Sequence, residues 1–291
     1  MSSLNADVPV AEHLPLGFPD FPGSYALLSD SPDTNAAVVF VHGFWGDAVD
    51  TWQEFQRLVD APLHGKHFGR ADMFFYAYPS VRHTLKVATE HFEHFVNRML
   101  TESWGAAIDP RTGASFPVDA PSRPYDLVVL VGHSLGGVII RNAIAKAANR
   151  LPAKPAAWPL LLSRPPKLFA PAHSGFRHDG VVSLAAGLSK IAAFMLVYWR
   201  VRHAKAYAEL KSGSEPLQTI KSETLRAREQ FIDCPALYAD IRWGEDENVV
   251  FDVDYPKDRT PDSLPNLNHE TICKPTDGFD VPVTMVINGL E

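Results

Sequence analysis

Tyr125 to Arg141, YDLVVLVGHSLGGVIIR, is the stretch that most constrains what this chain can fold into. Leu127 to Val131 is an unbroken apolar run rich in valine, the pattern of a strand buried on both faces. Val138, Ile139 and Ile140 lead into an alanine-rich tail to Ala148, which predicts a helix packed on that sheet. Between them stands Gly132-His133-Ser134-Leu135-Gly136, a G-x-S-x-G pattern. A strand can reverse into a helix this tightly only where the flanking positions lack bulk, and Gly132 and Gly136 supply that room. The turn lifts Ser134 to its tip and sets the Leu135 N–H at a helix N-terminus, where negative charge is favoured. Ser134 is therefore a candidate nucleophile; a serine that merely caps the helix is the alternative.

Ala36 to Val41, AAVVFV, is a second buried-strand run, and His42-Gly43-Phe44-Trp45-Gly46 follows it. Glycine at 43 lets the backbone turn sharply past the strand end and expose the next N–H groups. In a hydrolase an oxyanion hole is built at such a place, with the Phe44 N–H as donor. His42 is expected to hold this loop through hydrogen bonds, and Trp45 and Trp52 to line or roof a pocket. A helix is predicted from about Thr51 to Val59, a strand over Arg70 to Tyr78, and an amphipathic helix over Thr84 to Leu100. The last carries Leu85, Val87, Ala88, Phe92, Phe95, Val96 and Met99 near helical spacing. His91 and His94 share it, but no third ligand type lies nearby, so no metal site is predicted. Lys167 to Ala170 and Pro235 to Trp243 read as further strands. Ser24 to Ser29 reads as an edge strand within a segment, residues 1 to about 35, that otherwise wraps the surface. Strands alternating with helices over short links predict a mostly parallel, doubly wound α/β sheet.

About sixty residues, 174–233, separate two of these strands, far more than a crossover helix needs. Ile191 to Trp199, IAAFMLVYW, is apolar around most of a helix circumference and is followed by Arg200, Arg202 and Lys205. A polar helix is predicted over Pro216 to Gln230. The expected organisation is a core of residues 1–173 and 234–291 with a helical lid insertion at 174–233, in which Phe194 and Trp199 face substrate. Asp280 to Leu290 is a closing helix or strand, and periodicity does not choose between them.

A formal net charge of −7 and the lack of a long basic block argue against nucleic acid as a partner. Two cysteines, Cys234 and Cys273, make no disulfide framework. The first fifteen residues lack a basic region followed by an apolar one, and no segment reaches the roughly 20 apolar residues of a membrane span. The expected location is cytoplasmic, with peripheral contact to a lipid surface through the Ile191–Trp199 segment.

The order of these pieces is a His-Gly turn after an early strand, Ser134 in an elbow, acids after a later strand, then His269 in PNLNHETICKP. From about Ala36 to Pro275 the chain resembles the α/β-hydrolase superfamily, in which nucleophile, acid and histidine follow in that order. The G-H-S-L-G-G elbow and the H-E-T-I-C-K-P run resemble those of lipase-like serine esterases. The resemblance implies that His269 activates Ser134 and that the Phe44 and Leu135 N–H groups stabilise the oxyanion. In that family the acid commonly stands in G-x-x-D-x-V-V. Aligning on Gly244 and Val249-Val250 puts Glu247 at the acid position, a departure from aspartate, with Asp246 as the second candidate. Cys273, four residues past His269, is expected to be a packing cysteine. The expected activity is hydrolysis of a carboxylic ester with an apolar portion, small molecule or lipid, without metal or organic cofactor. The same motifs admit an acyltransferase, a thioesterase, an amidase or a non-catalytic binding protein.

Overall fold

The computed structural model describes residues 13–18, 20–29, 31, 33–52, 55, 68–101, 107–108, 115–116, 124–177, 205–276 and 278–291. The strands are β1 (His13–Gly17), β2 (Tyr25–Ser29), β3 (Ala36–Val41), β4 (Ala71–Tyr76), β5 (Ala107–Ile108), β6 (Ser115–Phe116), β7 (Leu127–His133), β8 (Lys167–Phe169) and β9 (Asp240–Arg242). They form one sheet in the order β6-β5-β1-β2-β4-β3-β7-β8-β9. The run β4-β3-β7-β8-β9 is parallel, and β1, β2, β5 and β6 add to it antiparallel.

β3 lies between β4 and β7, pairing Val38 with Met73 on one side and Val129 on the other. A strand in that position has no solvent face, which is why all six of its residues are buried and its sequence reads as continuous rather than alternating. β7 continues the apolar layer to His133, where α2 (Leu135–Asn149) begins. α1 (Leu85–Thr101) covers the sheet with Leu85, Ala88, Phe92, Phe95, Val96 and Met99. Val87, expected on that face, is exposed. Thr89 is buried instead, its hydroxyl donating to the Leu85 carbonyl and accepting from the Asn142 amide of α2.

Several expectations at the margins are corrected. Tyr25–Ser29 is no edge: β1 flanks it on one side and β4 on the other. β1 itself, in a segment expected to wrap the surface, pairs with β2 across five residues. The last strand is confined to Asp240–Arg242, because Pro235 opens a 3-10 turn over Pro235–Leu237 and its fixed φ suits a helical start. The C-terminus is a helix, α5 (Val281–Leu290), with Pro282 in its first turn and Val283, Val286 and Ile287 buried.

Within the expected insertion, α3 (Lys205–Glu209) and α4 (Glu215–Gln230) are described. α4 packs along α2 through Leu217, Ile220 and Ala227. Arg228 at its end shares the buried Asp258 carboxylate with Arg141 of α2, at 2.5 Å each. Residues 178–204, which carry Phe194 and Trp199, lie outside the described residues, as does most of the helix expected from Thr51 to Val59.

Candidate active site

The chain turns from β7 into α2 through Ser134, which has φ 53° and ψ −118°, a left-handed conformation costly for any residue but glycine. The turn leaves no space at the glycines. A Cβ on Gly132 would lie 2.9 Å from the Gly137 backbone, and one on Gly136 would lie 2.1 Å from the Val41 carbonyl oxygen. Helix and strand thus meet backbone to backbone, and Ser134 is held at their junction. Leu135 opens the helix, so its N–H has no acceptor within it.

His269, 135 positions later, brings Nε2 to 3.0 Å from the Ser134 hydroxyl oxygen. Its Nδ1 stands 2.9 Å and 3.1 Å from the two carboxylate oxygens of Glu247. A carboxylate only accepts, so Nδ1 carries the hydrogen and the Nε2 lone pair faces Ser134. Glu247 is fixed in turn by its own loop, since one of its oxygens accepts the Val249 and Val250 N–H groups at 2.8 and 3.0 Å. All three side chains are buried, whereas Glu245 and Asp246 are exposed. The structure therefore brings together Ser134, His269 and Glu247, and leaves Asp246 outside the arrangement.

The turn after β3, His42 to Gly46, lies beside the serine: a Cβ on Gly43 would stand 2.8 Å from that of Ser134. Gly43 and Phe44 line the same cleft as Ser134 and His269, a space of about 400 Å³. His42 is buried, bonds the Gly43 carbonyl through Nδ1 at 2.8 Å and receives the Tyr78 N–H at Nε2. Burial lowers its pKa to about 4, so it is neutral, and its hydrogen bonds hold the loop. Trp45 lines the cleft with 37% of its surface exposed, while Trp52 is fully buried and packs on Phe40. Phe176, which carried no signal in the sequence, forms part of the wall and meets Phe44 edge-on at 6.0 Å. Asp47, Asp50, Glu270 and Lys274 add charge to the lining. Cys273 also reaches it but is buried, which raises its thiol pKa to about 12. His91 shares a 2.6 Å hydrogen bond with the Tyr76 hydroxyl. Among the described residues no group of three or more His, Cys, Asp or Glu could hold a metal ion, and no helix is long and apolar enough to cross a membrane.

A strand–serine–helix elbow beside a parallel sheet, with a histidine and a carboxylate converging on it, is the architecture of an α/β hydrolase. The model of the alpha/beta hydrolase family matches residues 38–282, and the chain belongs to that family. Among solved structures it is similar to the phospholipase PlaB from Legionella pneumophila in complex with thio-NAD, with 17% identity and a TM-score of 0.53. That match covers 88% of this chain and 58% of the phospholipase, so the chain spans less than two thirds of its length. It is also similar to the N-formylmaleamic acid deformylase from Pseudomonas putida S16, with 14% identity, a TM-score of 0.50, and 90% and 95% of the two chains covered. A third likeness is to esterase B from Lactobacillus rhamnosis, with 10% identity, a TM-score of 0.50, and 97% and 86% covered. At these identities the likeness is one of fold. No match was found among curated proteins.

Proposed function

We propose that this protein is a serine hydrolase that cleaves carboxylic esters through an acyl-enzyme. The observation that carries the reading is the continuous line from the Ser134 hydroxyl through both nitrogens of His269 to Glu247, at 3.0 and 2.9 Å. A serine hydroxyl is a weak nucleophile until a neighbouring base accepts its proton. His269 takes that proton at Nε2 as Ser134 attacks the ester carbonyl, then returns it to the departing alkoxide. Water repeats the sequence on the acyl-enzyme and releases the acid. Glu247 holds the tautomer and stabilises the imidazolium formed at each step. The Phe44 and Leu135 N–H groups face the developing oxyanion, each donor typically worth about 3 kcal/mol.

Phe44, Trp45 and Phe176 support an apolar acyl or alcohol portion, and the apolar run Ile191–Trp199, with Phe194 and Trp199, supports a lid that meets lipid or bulky esters. A fluorophosphonate probe, which modifies only an activated serine, tests the chemistry. Ester hydrolysis over increasing acyl length tests the substrate class. Absence of labelling at Ser134 would remove the hydrolase reading, and labelling without ester turnover would move it to thioesters, amides or acyl transfer.

A further inference from the structure

Ser134 and His269 must hold their hydrogen-bond distance to within a few tenths of an ångström, although 135 positions separate them in the chain. We propose that His133 is a positioning residue that sets the distance between them. The proposal rests on the reading of Ser134 as nucleophile and His269 as base.

His133 is bonded covalently to Ser134 on one side, and its ring crosses to the His269 loop on the other. Its Nε2 lies 2.7 Å from the His269 carbonyl oxygen. A carbonyl only accepts, so Nε2 carries the hydrogen and the tautomer is fixed. One imidazole thereby ties the backbone of the base to the residue beside the nucleophile. The segment leading to His269 is tied to the acid loop as well, from the Asp246 N–H to the Leu267 carbonyl at 3.0 Å and from the Glu245 N–H to the Leu264 carbonyl at 2.9 Å. With these ties in place, His269 is referred to serine and carboxylate separately. Removing the first leaves the backbone of the His269 loop tied to the acid loop but no longer to the residue beside Ser134.

The ring cannot drift. It is buried, and its Nδ1 faces the oxyanion turn so closely that a Cβ on Gly43 would stand 3.1 Å from it. Its centroid is 4.8 Å from that of His269, so a positive charge here would oppose the imidazolium that His269 forms in each half-reaction. Burial, with His269 beside it, lowers the pKa of His133 to about 3. The position calls for a neutral N–H donor of this reach.

The test compares His133→Leu, which fills the volume without a donor, with His133→Gln, whose amide N–H reaches about as far. kcat and KM are measured on a soluble short-chain p-nitrophenyl ester, together with Tm and the rate of fluorophosphonate labelling. Leucine should lower kcat and the labelling rate roughly 10- to 100-fold, the scale of an ångström-level misplacement, with KM within about twofold. Glutamine should restore most of that loss. If the leucine variant does not fold, His133→Asn, too short to reach the carbonyl, takes its place against glutamine with the same expectation. Wild-type kcat without a donor, or a glutamine variant as impaired as the donorless one, overturns the proposal. If the wild-type protein is not labelled at all, the hydrolase reading itself fails; a labelled wild type with an equally fast donorless variant sinks only the role of His133.

Discussion

Gly136 lies so close to the end of β3 that a Cβ placed on it would stand 2.1 Å from the Val41 carbonyl oxygen and 2.7 Å from that of His42. The first turn of the helix that follows Ser134 is seated directly on the end of the strand that leads to Gly43 and Phe44. Gly136→Ala must therefore push backbone from backbone, because no flexible side chain can yield. The expected loss of stability is about 3 kcal/mol, at the upper end of overpacking effects. A urea midpoint equal to that of the wild type would show that the two elements are not in contact.

Ser134→Ala should abolish ester hydrolysis with little change in stability, since only a hydroxyl is lost. Glu247→Gln should lower kcat by about 10⁴-fold, because the amide still accepts from Val249 and Val250 but can stabilise the wrong His269 tautomer. Asp246→Asn should keep most activity, its side chain being exposed. Steady-state kinetics on one soluble ester suffices. An inactive Asp246→Asn beside an active Glu247→Gln would exchange their roles.

The Asp258 side chain is fully buried between the guanidinium groups of Arg141 and Arg228, at 2.5 Å from each, and also receives the Ala239 N–H. Asp258→Asn would leave two buried cations without a counterion. Breaking one side of such an arrangement typically costs about 3–5 kcal/mol. The loss should appear in denaturant unfolding while KM stays unchanged, since the group joins α2 to α4 and none of its three residues lines the cleft. Unchanged stability would mean that the arginines find solvent when Asp258 is neutral.

Burial lowers the pKa of His42 to about 4, that of His133 to about 3, and that of His173 well below its ordinary value. An unfolded histidine titrates near 6.5, so below that pH the unfolded chain binds more protons than the native one. From these rings, stability should be level between about pH 7 and 8 and fall as pH drops from about 6.5 towards 4, each histidine adding up to about 1.4 kcal/mol per pH unit. Urea midpoints at pH 7.5, 5.5 and 4.5 measure the slope. A midpoint that rises on acidification would contradict the buried neutral state of these rings.

Much of the architecture is local, and local features were legible. β3, a run of Val, Ala and Phe, and β7, a run of Leu and Val, are long enough to need two covered faces. The bounds of α1 follow the spacing of Leu85, Phe92 and Met99. The glycine pattern around Ser134 announced the elbow because only glycine leaves room for it. Where neighbours decide, the sequence was silent or misleading. VPVTMVINGL is too uniformly apolar to show a period, and it is a helix because it packs on β7 and β8 with Pro282 in its first turn. Val87 and Thr89 exchange faces relative to their polarity because Asn142 of α2 offers Thr89 a partner. The position of β2 inside the sheet depends on β1, whose proline-containing HLPLG carries little strand signal.

The sequence by itself determined the class of fold and, through the order of its motifs, the residues worth watching: Ser134, His269 and the acids after Gly244. Only the tertiary structure decided which carboxylate faces His269. The turn at Gly244 buries Glu247 and its Val249–Val250 contacts while Glu245 and Asp246 face solvent. It alone also brought His133 against the His269 carbonyl and Phe176 against Phe44. The reason is one of range. A turn or a helix depends on a few consecutive residues. A 3.0 Å contact between residues 135 positions apart depends on how every intervening element packs.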